Sequence, residues 1–213
     1  MKVLIISNGD IKDYNFYKKL IKDADMVICA DGGANHAYRM KLKPHLIVGD
    51  LDSIKEEVLE FYEKEGVRIE KYPPMKDETD TQLAMLKAIE LGAREITFIG
   101  VIGERLDHSY ANLSLLLYLL KRNIKGKIVN EMNEIYLINK FIEVEGKKGE
   151  LLSLLPYSKE VNGIYTKGLF YGLSGQSMGM DLEMPYGISN VFTDNKATIE
   201  IEEGLLLVIK PRE

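Results

Sequence analysis

The pattern of apolar and polar residues divides the chain into two parts with different periodicity. Up to about residue 125, short continuous apolar runs alternate with segments in which apolar residues recur every three or four positions. The first pattern is typical of buried parallel strands, and the second of helices that cover a sheet. Strands are predicted at residues 3–6, 26–30, 46–48, 67–70 and 95–99. Helices are predicted at residues 14–22, 34–40, 54–65, 81–91 and 106–122.

The pattern changes near Asn123. Beyond it, short apolar runs are separated by turn residues, and no segment has a convincing helical period. The runs lie at residues 135–138, 141–144, 151–155, 164–166, 197–201 and 205–209. Short strands at this spacing predict a β-sandwich or a small barrel. We therefore expect an α/β chain with a doubly wound, mostly parallel sheet domain at residues 1–124 and an all-β sandwich domain at residues 125–213.

Composition narrows the classes of function. The 213 residues carry a formal charge of −5, which argues against a broad basic face that binds nucleic acid. The longest apolar stretch, residues 113–120, is too short to span a membrane. Cys29, the only cysteine, lies in an apolar run and is expected to be a buried small hydrophobe. We expect a cytoplasmic protein that binds neither nucleic acid nor membrane.

The segment Gly-Asp-Leu-Asp-Ser at residues 49–53 is the strongest chemical signal in the chain. It follows the apolar run at residues 46–48, where an open α/β sheet places its ligand crevice. Side chains two residues apart on an extended chain point the same way, so Asp50 and Asp52 can converge on one cation. Mg2+ suits such a pair because it binds carboxylates together with substrate phosphates. The alternative is a solvated acidic turn that caps the next helix.

Three further polar motifs follow a predicted strand or open a helix. They are Asp-Gly-Gly-Ala-Asn at residues 31–35, Lys-Asp-Glu-Thr-Asp-Thr at 76–81 and Gly-Val-Ile-Gly-Glu-Arg-Leu-Asp-His at 100–108. Each can equally supply a structural turn or a helix cap. No motif matches a P-loop or a dinucleotide fingerprint, and the three histidines have no ligand-spaced partners for zinc. The common position of these polar motifs is informative, because a doubly wound sheet gathers such loops along one edge.

Taken together, these motifs resemble the motif series of the thiamine pyrophosphokinase family in both order and spacing. The series here is Asp-Gly-Gly-Ala-Asn, Gly-Asp-Leu-Asp-Ser, Asp-Glu-Thr-Asp at 77–80 and Gly-Glu-Arg-Leu-Asp-His at 103–108. Thr-Lys-Gly-Leu at 166–169 and Gly-Ile-Ser-Asn at 187–190 resemble the signatures of that family's β-domain. The resemblance therefore spans nearly the whole chain.

The resemblance implies an activity and a set of site residues. The family transfers the diphosphate of ATP to the hydroxyl group of thiamine, giving thiamine diphosphate and AMP, and its members are homodimers with thiamine bound near the subunit interface. It implies Mg2+ at Asp50, Asp52 and Asp80, and nucleotide at Asp31, Gly32 and Asn35. It further implies phosphate at Lys76 and Arg105, and thiamine at Asp107, Ser189 and Asn190. The general base is expected to be Asp80, with Asp107 as the alternative, and Arg105 to assist catalysis.

Two other functions fit the same residues. A diphosphokinase that acts on a pterin alcohol would keep the nucleotide and metal site but would not need Gly-Ile-Ser-Asn at residues 187–190. A non-catalytic sensor of nucleotide or thiamine would bind both ligands without releasing AMP. The complete set of candidate metal carboxylates argues against the sensor, because binding alone does not need the transfer machinery.

Overall fold

The computed structural model describes residues 1–103, 105–181 and 186–212. The chain divides into two compact units, Met1–Glu131 and Met132–Glu213. Glu104, in the motif at residues 103–108, lies outside the described residues.

The first unit is a parallel sheet covered by helices. Its strands are β1 (Lys2–Ile6), β2 (Met26–Ala30), β3 (Leu46–Gly49), β4 (Arg68–Lys71), β5 (Glu95–Ile99) and β6 (Lys125–Val129). Its helices are α1 (Lys18–Asp23), α2 (Gly33–Arg39), α3 (Glu56–Lys64), α4 (Asp80–Glu90) and α5 (Leu106–Leu120). The strand order is β6-β5-β1-β2-β3-β4, and every pair is parallel. The predicted doubly wound sheet is confirmed.

The strand order creates a switch point between β1 and β5. From β1 the chain adds strands in one direction as far as β4, and it then crosses to the other side of β1 to form β5. The loops that leave β1 and β5 therefore diverge, which opens a crevice at the carboxyl ends of the two strands. The crevice is the place where this fold binds ligands.

Two elements of the first unit differ from the predicted pattern. Helix α1 begins at Lys18 rather than at residue 14, because the Asp13 carboxylate accepts the Asn15 N–H (2.9 Å) and the chain forms successive turns there. Strand β6 begins just after the expected domain boundary and pairs with β5, so it belongs to the first compact unit, which ends at Glu131. Its sequence, Lys-Gly-Lys-Ile-Val, lacks the continuous apolar run of the other strands.

The second unit is an antiparallel sandwich. Its strands are β7 (Asn133–Ile138), β8 (Phe141–Glu145), β9 (Leu151–Pro156), β10 (Glu160–Lys167), β11 (Ser174–Gly179), β12 (Asn190–Val191), β13 (Lys196–Glu200) and β14 (Leu206–Pro211). They form one layer in the order β12-β9-β14-β7 and a second in the order β11-β10-β13-β8. Fully buried apolar side chains from both layers, including Leu154, Ile164, Ile199 and Val208, share one core. The predicted sandwich is confirmed.

Within the described residues, every helix is too short or too polar to cross a lipid bilayer. Cys29 is fully buried in β2, as expected, and burial raises the pKa of its thiol. This cysteine therefore packs as a small apolar side chain.

Candidate active site

A cleft of about 610 Å³ opens at the switch point of the parallel sheet. The loops after β1 and β5 form part of it, and the first residues of α4 and α5 form the rest. Its lining includes Ser7, Asn8, Gly9, Asp10, Asp31, Ser53, Thr79, Asp80, Thr81, Gly100, Val101, Gly103, Arg105, Asp107, His108 and Asn112. All four predicted motifs therefore contribute to a single cavity, and the motif at residues 49–53 does so through Ser53.

The loop after β1, residues 7–10, was not among the predicted site residues. Its sequence, Ser-Asn-Gly-Asp, follows an apolar strand in the same way as the other motifs, and that position was the available signal. The Gly9 N–H donates to the Gly100 carbonyl (2.7 Å), which joins this loop to the one after β5. Gly100 has φ +66°, and a Cβ there would overlap the Ser7 carbonyl oxygen. The two loops can approach this closely only because Gly100 lacks a side chain.

Three carboxylates form an acidic trio beside the cleft: Asp31 after β2, and Asp50 and Asp52 after β3. One oxygen from each lies within 4.8 Å of the others. Gly49 makes this possible, because it adopts φ +149° and a Cβ there would lie 2.9 Å from the Asp31 Cβ. Close like charges repel one another unless a cation lies between them. The arrangement has the oxygen donors that Mg2+ requires.

One buried carboxylate oxygen in this region has no hydrogen-bond donor. Among the described residues, Asp31 Oδ1 is buried without a hydrogen-bond partner. Burial raises the pKa of Asp31, and the Asp80 charge adds to that effect, while hydrogen bonds from Gly32 and Ser53 oppose it. A buried carboxylate oxygen is costly unless something compensates its charge. The residues present therefore fit a divalent cation.

Lys76 supplies a positive charge inside the acidic cluster. Its Nζ lies 2.8 Å from Asp80 Oδ1 and 3.7 Å from Asp50 Oδ2, and its side chain is only 11% exposed. Burial acts to lower the pKa of the Lys76 ammonium, but the carboxylates of Asp80, Asp50 and Asp31 outweigh it and raise the pKa. Asp80 was predicted to bind metal with Asp50 and Asp52. The structure groups Asp31 with Asp50 and Asp52 and places Asp80 beside Lys76, and metal binding by Asp80 stays a prediction.

A capping box fixes the position of Asp80 at the start of α4. The Thr79 hydroxyl accepts the Gln82 N–H (3.2 Å), and the Gln82 side chain accepts the Thr79 N–H (2.7 Å). Two helix-terminal N–H groups are thereby satisfied reciprocally. The carboxylate of Asp80 is held where Lys76 can reach it.

We expect Thr79→Ala to reduce the free energy of unfolding by about 1 kcal/mol, because the N-cap hydrogen bond is lost. Chemical denaturation measures this loss. Gln82→Ala removes the other half of the same box, so the two effects should be less than additive in the double variant. Unchanged stability of Thr79→Ala would contradict a capping role.

Arg105 and Asp107 lie in the same cleft and bind each other. Arg105 Nη2 donates to Asp107 Oδ2 (2.6 Å) and Nε donates to Oδ1 (3.2 Å), a two-bond pairing of exposed side chains. This guanidinium lowers the pKa of Asp107. The loop after β5 is fixed to α5 by a hydrogen bond from the Asn112 amide to the Val101 carbonyl (2.8 Å).

Asn35 and Gly32 support the acidic trio from α2. The Asn35 amide donates to the Ser53 carbonyl (2.9 Å) and accepts the Lys55 N–H (3.1 Å), so it fastens the loop that carries Asp50 and Asp52. A Cβ on Gly32 would overlap the Asn8 side chain. Both predicted nucleotide residues therefore lie next to the cleft.

The predicted thiamine residues of the second unit differ in exposure. Ser189 is exposed at φ +56°, and its N–H donates to the Ser153 hydroxyl (3.0 Å). Asn190 is buried, and its amide accepts the Tyr171 N–H (3.0 Å) and donates to the Tyr171 carbonyl (2.8 Å). The exposed Tyr171 ring is therefore held by its backbone. Contact of these residues with thiamine stays a prediction.

A doubly wound sheet with a cleft at its switch point, beside carboxylates and a buried lysine, is the architecture of an α/β enzyme whose site suits a metal ion and phosphate groups. Residues 17–128 match the family model "Thiamin pyrophosphokinase, catalytic domain", and residues 139–206 match "Thiamin pyrophosphokinase, vitamin B1 binding domain". The chain therefore belongs to the thiamine pyrophosphokinase family, and the resemblance inferred from its motifs is confirmed.

Individual relatives agree with the family match. The thiamine pyrophosphokinase of Bacillus subtilis is 28% identical over 76% of each chain. Thiamine pyrophosphokinase 1 of Arabidopsis thaliana is 28% identical over 97% of this chain and 85% of its own. The crystal structure of the Bacillus subtilis enzyme superimposes with a TM-score of 0.88 at 25% identity, with both chains fully covered. These matches favour the thiamine enzyme over a pterin enzyme or a sensor.

Proposed function

We propose that this protein transfers the diphosphate group of ATP to the hydroxyl group of thiamine, releasing thiamine diphosphate and AMP. The thiamine oxygen attacks the β-phosphorus, the bond from that phosphorus to the oxygen of the α-phosphate breaks, and the hydroxyl proton passes to a carboxylate. The observation that carries the proposal is the acidic trio with Lys76 beside a cleft at the switch point. Such transfer depends on charge neutralisation and positioning more than on covalent chemistry.

We place Mg2+ at Asp50 and Asp52, with Asp31 as a further ligand and with Asp80 able to join them once Lys76 turns to phosphate. When bound, the ion neutralises charge on the phosphate oxygens of ATP. Lys76 and Arg105 add positive charge from protein side chains, and Arg105 can grip a phosphate with two donors once it parts from Asp107.

Asp80 is the better candidate for the general base. The Arg105 pairing lowers the pKa of Asp107, which makes that carboxylate a weaker proton acceptor. Asp80 lines the cleft and its side chain is less exposed than that of Asp107, 26% against 65%. Asp107 keeps its proposed place on the thiamine side of the reaction.

The two units take different roles in this proposal. The first binds nucleotide, with Asp31, Gly32 and Asn35 along it. The second binds thiamine through Ser189 and Asn190 and forms a homodimer. Large exposed apolar side chains, among them Phe141, Phe170 and Ile188, support an interface in the second unit. Light scattering should give twice the mass of the chain.

ATP as co-substrate supports a cytoplasmic location, which cell fractionation tests.

The deciding experiment measures AMP release from ATP and Mg2+ with thiamine present, absent or replaced by a pterin alcohol. AMP that depends on thiamine, with an equal amount of thiamine diphosphate, is the expected result. AMP release with the pterin alcohol but not with thiamine would support the proposed nucleotide site and would contradict thiamine as the acceptor. Binding of both substrates without AMP would identify a sensor.

A further inference from the structure

A buried histidine lies directly behind the cleft and is not part of the machinery described above. His36, on α2, is 8% exposed. Its Nε2 lies 2.9 Å from the Gly9 carbonyl oxygen, and its Nδ1 lies 3.0 Å from the Tyr14 hydroxyl. Arg39 Nη1 lies 3.2 Å from the same hydroxyl. These contacts link an exposed arginine to a loop of the cleft.

The donor and the acceptor in each of these three hydrogen bonds follow from the groups that take part. The Gly9 carbonyl can only accept, so Nε2 of His36 carries a proton and donates it. In the neutral imidazole, Nδ1 is then an acceptor, and the Tyr14 hydroxyl donates to it. The Arg39 guanidinium can only donate, and the Tyr14 oxygen accepts from it. Of the two neutral tautomers, only the Nε2–H form satisfies all three contacts.

The chain of hydrogen bonds continues to the second loop of the cleft. The Gly9 N–H donates to the Gly100 carbonyl (2.7 Å), and both glycines line the cleft. We propose that His36 is a positioning residue for nucleotide binding, which fixes the Gly9 carbonyl and, through Gly9, the spacing of the two loops at the switch point. This role rests on the proposed function, because it assigns the nucleotide to that cleft.

The surroundings of His36 keep it neutral. Burial lowers the pKa of its imidazole, and the nearby Arg39 charge lowers it further. Asp10 and Glu131 act in the opposite direction, together with the Gly9 hydrogen bond, but do not outweigh burial. Glu131 itself accepts two backbone N–H groups from residues 12 and 13 (2.8 and 3.0 Å), so it anchors the far end of the same loop.

A purely structural histidine would affect stability without affecting affinity, and His45, an exposed histidine that is also hydrogen-bonded to the backbone, provides a control. Its Nδ1 accepts the Val27 N–H (3.0 Å) at the start of β2, the edge of the sheet opposite the cleft. His36→Leu and His45→Leu each remove an imidazole hydrogen-bonded to the backbone of the first unit. Only the first should change nucleotide binding.

Titration calorimetry with Mg2+ and ATP, without thiamine, tests the proposal. We expect His36→Leu to raise the Kd for ATP about tenfold, the equivalent of roughly one buried hydrogen bond. His36→Gln, which keeps an amide donor, should recover part of the affinity. His45→Leu should keep the wild-type Kd whatever its melting temperature. Wild-type affinity in a folded His36→Leu protein would overturn the role of His36 alone.

Two further measurements keep the test decisive if His36→Leu does not fold. Tyr14→Phe removes only the hydroxyl that donates to Nδ1, and we expect an increase of about threefold in the Kd for ATP. Nitrogen NMR of the wild-type protein should find His36 protonated at Nε2 and unprotonated at Nδ1; the other tautomer would overturn the proposal. A wild-type protein that binds no ATP would instead overturn the proposed function itself.

Discussion

Asp50→Asn is expected to reduce turnover by about 10²–10³-fold or more, the range seen when one preorganised charge-stabilising group is removed from an active site. Asparagine has nearly the same shape and can still accept the Asp52 N–H (3.2 Å) that the Asp50 carboxylate accepts. The substitution removes one negative charge from the acidic trio, where carboxylates repel each other. The melting temperature without metal should therefore stay the same or rise.

Asp25→Asn is the matched control for this variant. Asp25 also accepts a backbone N–H, from Lys2 (2.7 Å), but it precedes β2 at the opposite edge of the sheet. Its turnover should equal that of the wild type. Assays of AMP release and Mg2+ titrations on both variants distinguish loss of the metal ligand from general damage. Normal turnover of Asp50→Asn would remove Asp50 from the metal site.

The parallel sheet could be predicted closely because its strands are buried on both faces. The runs at residues 26–30 and 95–99 have the same bounds in the structure, and a charged residue precedes each of them. Strand β11 was not predicted as a strand, because only Met178 of its six residues is buried and glycines replace the usual apolar alternation. Strand β6 also has a weak strand signal in its sequence, because only its last two residues are buried.

The location of the candidate site followed from topology, but its internal pairings did not. Any motif after a parallel strand reaches the same edge of the sheet, so the sequence predicted that the polar loops would meet. Which carboxylates share a cation depends on side-chain direction and on Lys76, which lies beside Asp80. The pairing of Asp31 with Asp50 and Asp52 also depends on φ +44° at Asp31, a conformation that sequence alone does not specify.

Lys76→Met is expected to change metal binding and nucleotide binding in opposite directions. In the protein without ligands, the Lys76 ammonium partly neutralises Asp80 and Asp50, which it contacts at 2.8 and 3.7 Å. Without it, Asp50 and Asp80 lose the one salt-bridge partner that they have among the described residues. Mg2+ alone should then bind more tightly than in the wild type, and it should raise the melting temperature more, because binding to the folded state stabilises that state.

The same substitution should weaken ATP binding and reduce turnover by about 100-fold or more, because a buried ammonium that meets phosphate charge is lost. Lys87→Met is a close control. Lys87 is similarly buried, 14% exposed against 11% for Lys76, and it pairs with Glu70 (3.2 Å) and Glu90 (2.8 Å) at a distance from the acidic trio along α4. The Lys87→Met protein should be less stable than the wild type, but Mg2+ should raise its melting temperature by the same amount.

Calorimetric titrations with Mg2+ alone and with ATP in saturating Mg2+ measure the two effects separately. Tighter metal binding with weaker ATP binding would mean that Lys76 neutralises the carboxylates when no ligand is bound. It would also mean that Lys76 contacts phosphate once Mg2+ and ATP bind. Weaker binding of both ligands would mean that Lys76 chiefly orders the loop, because a cation that competes with Mg2+ cannot also promote its binding.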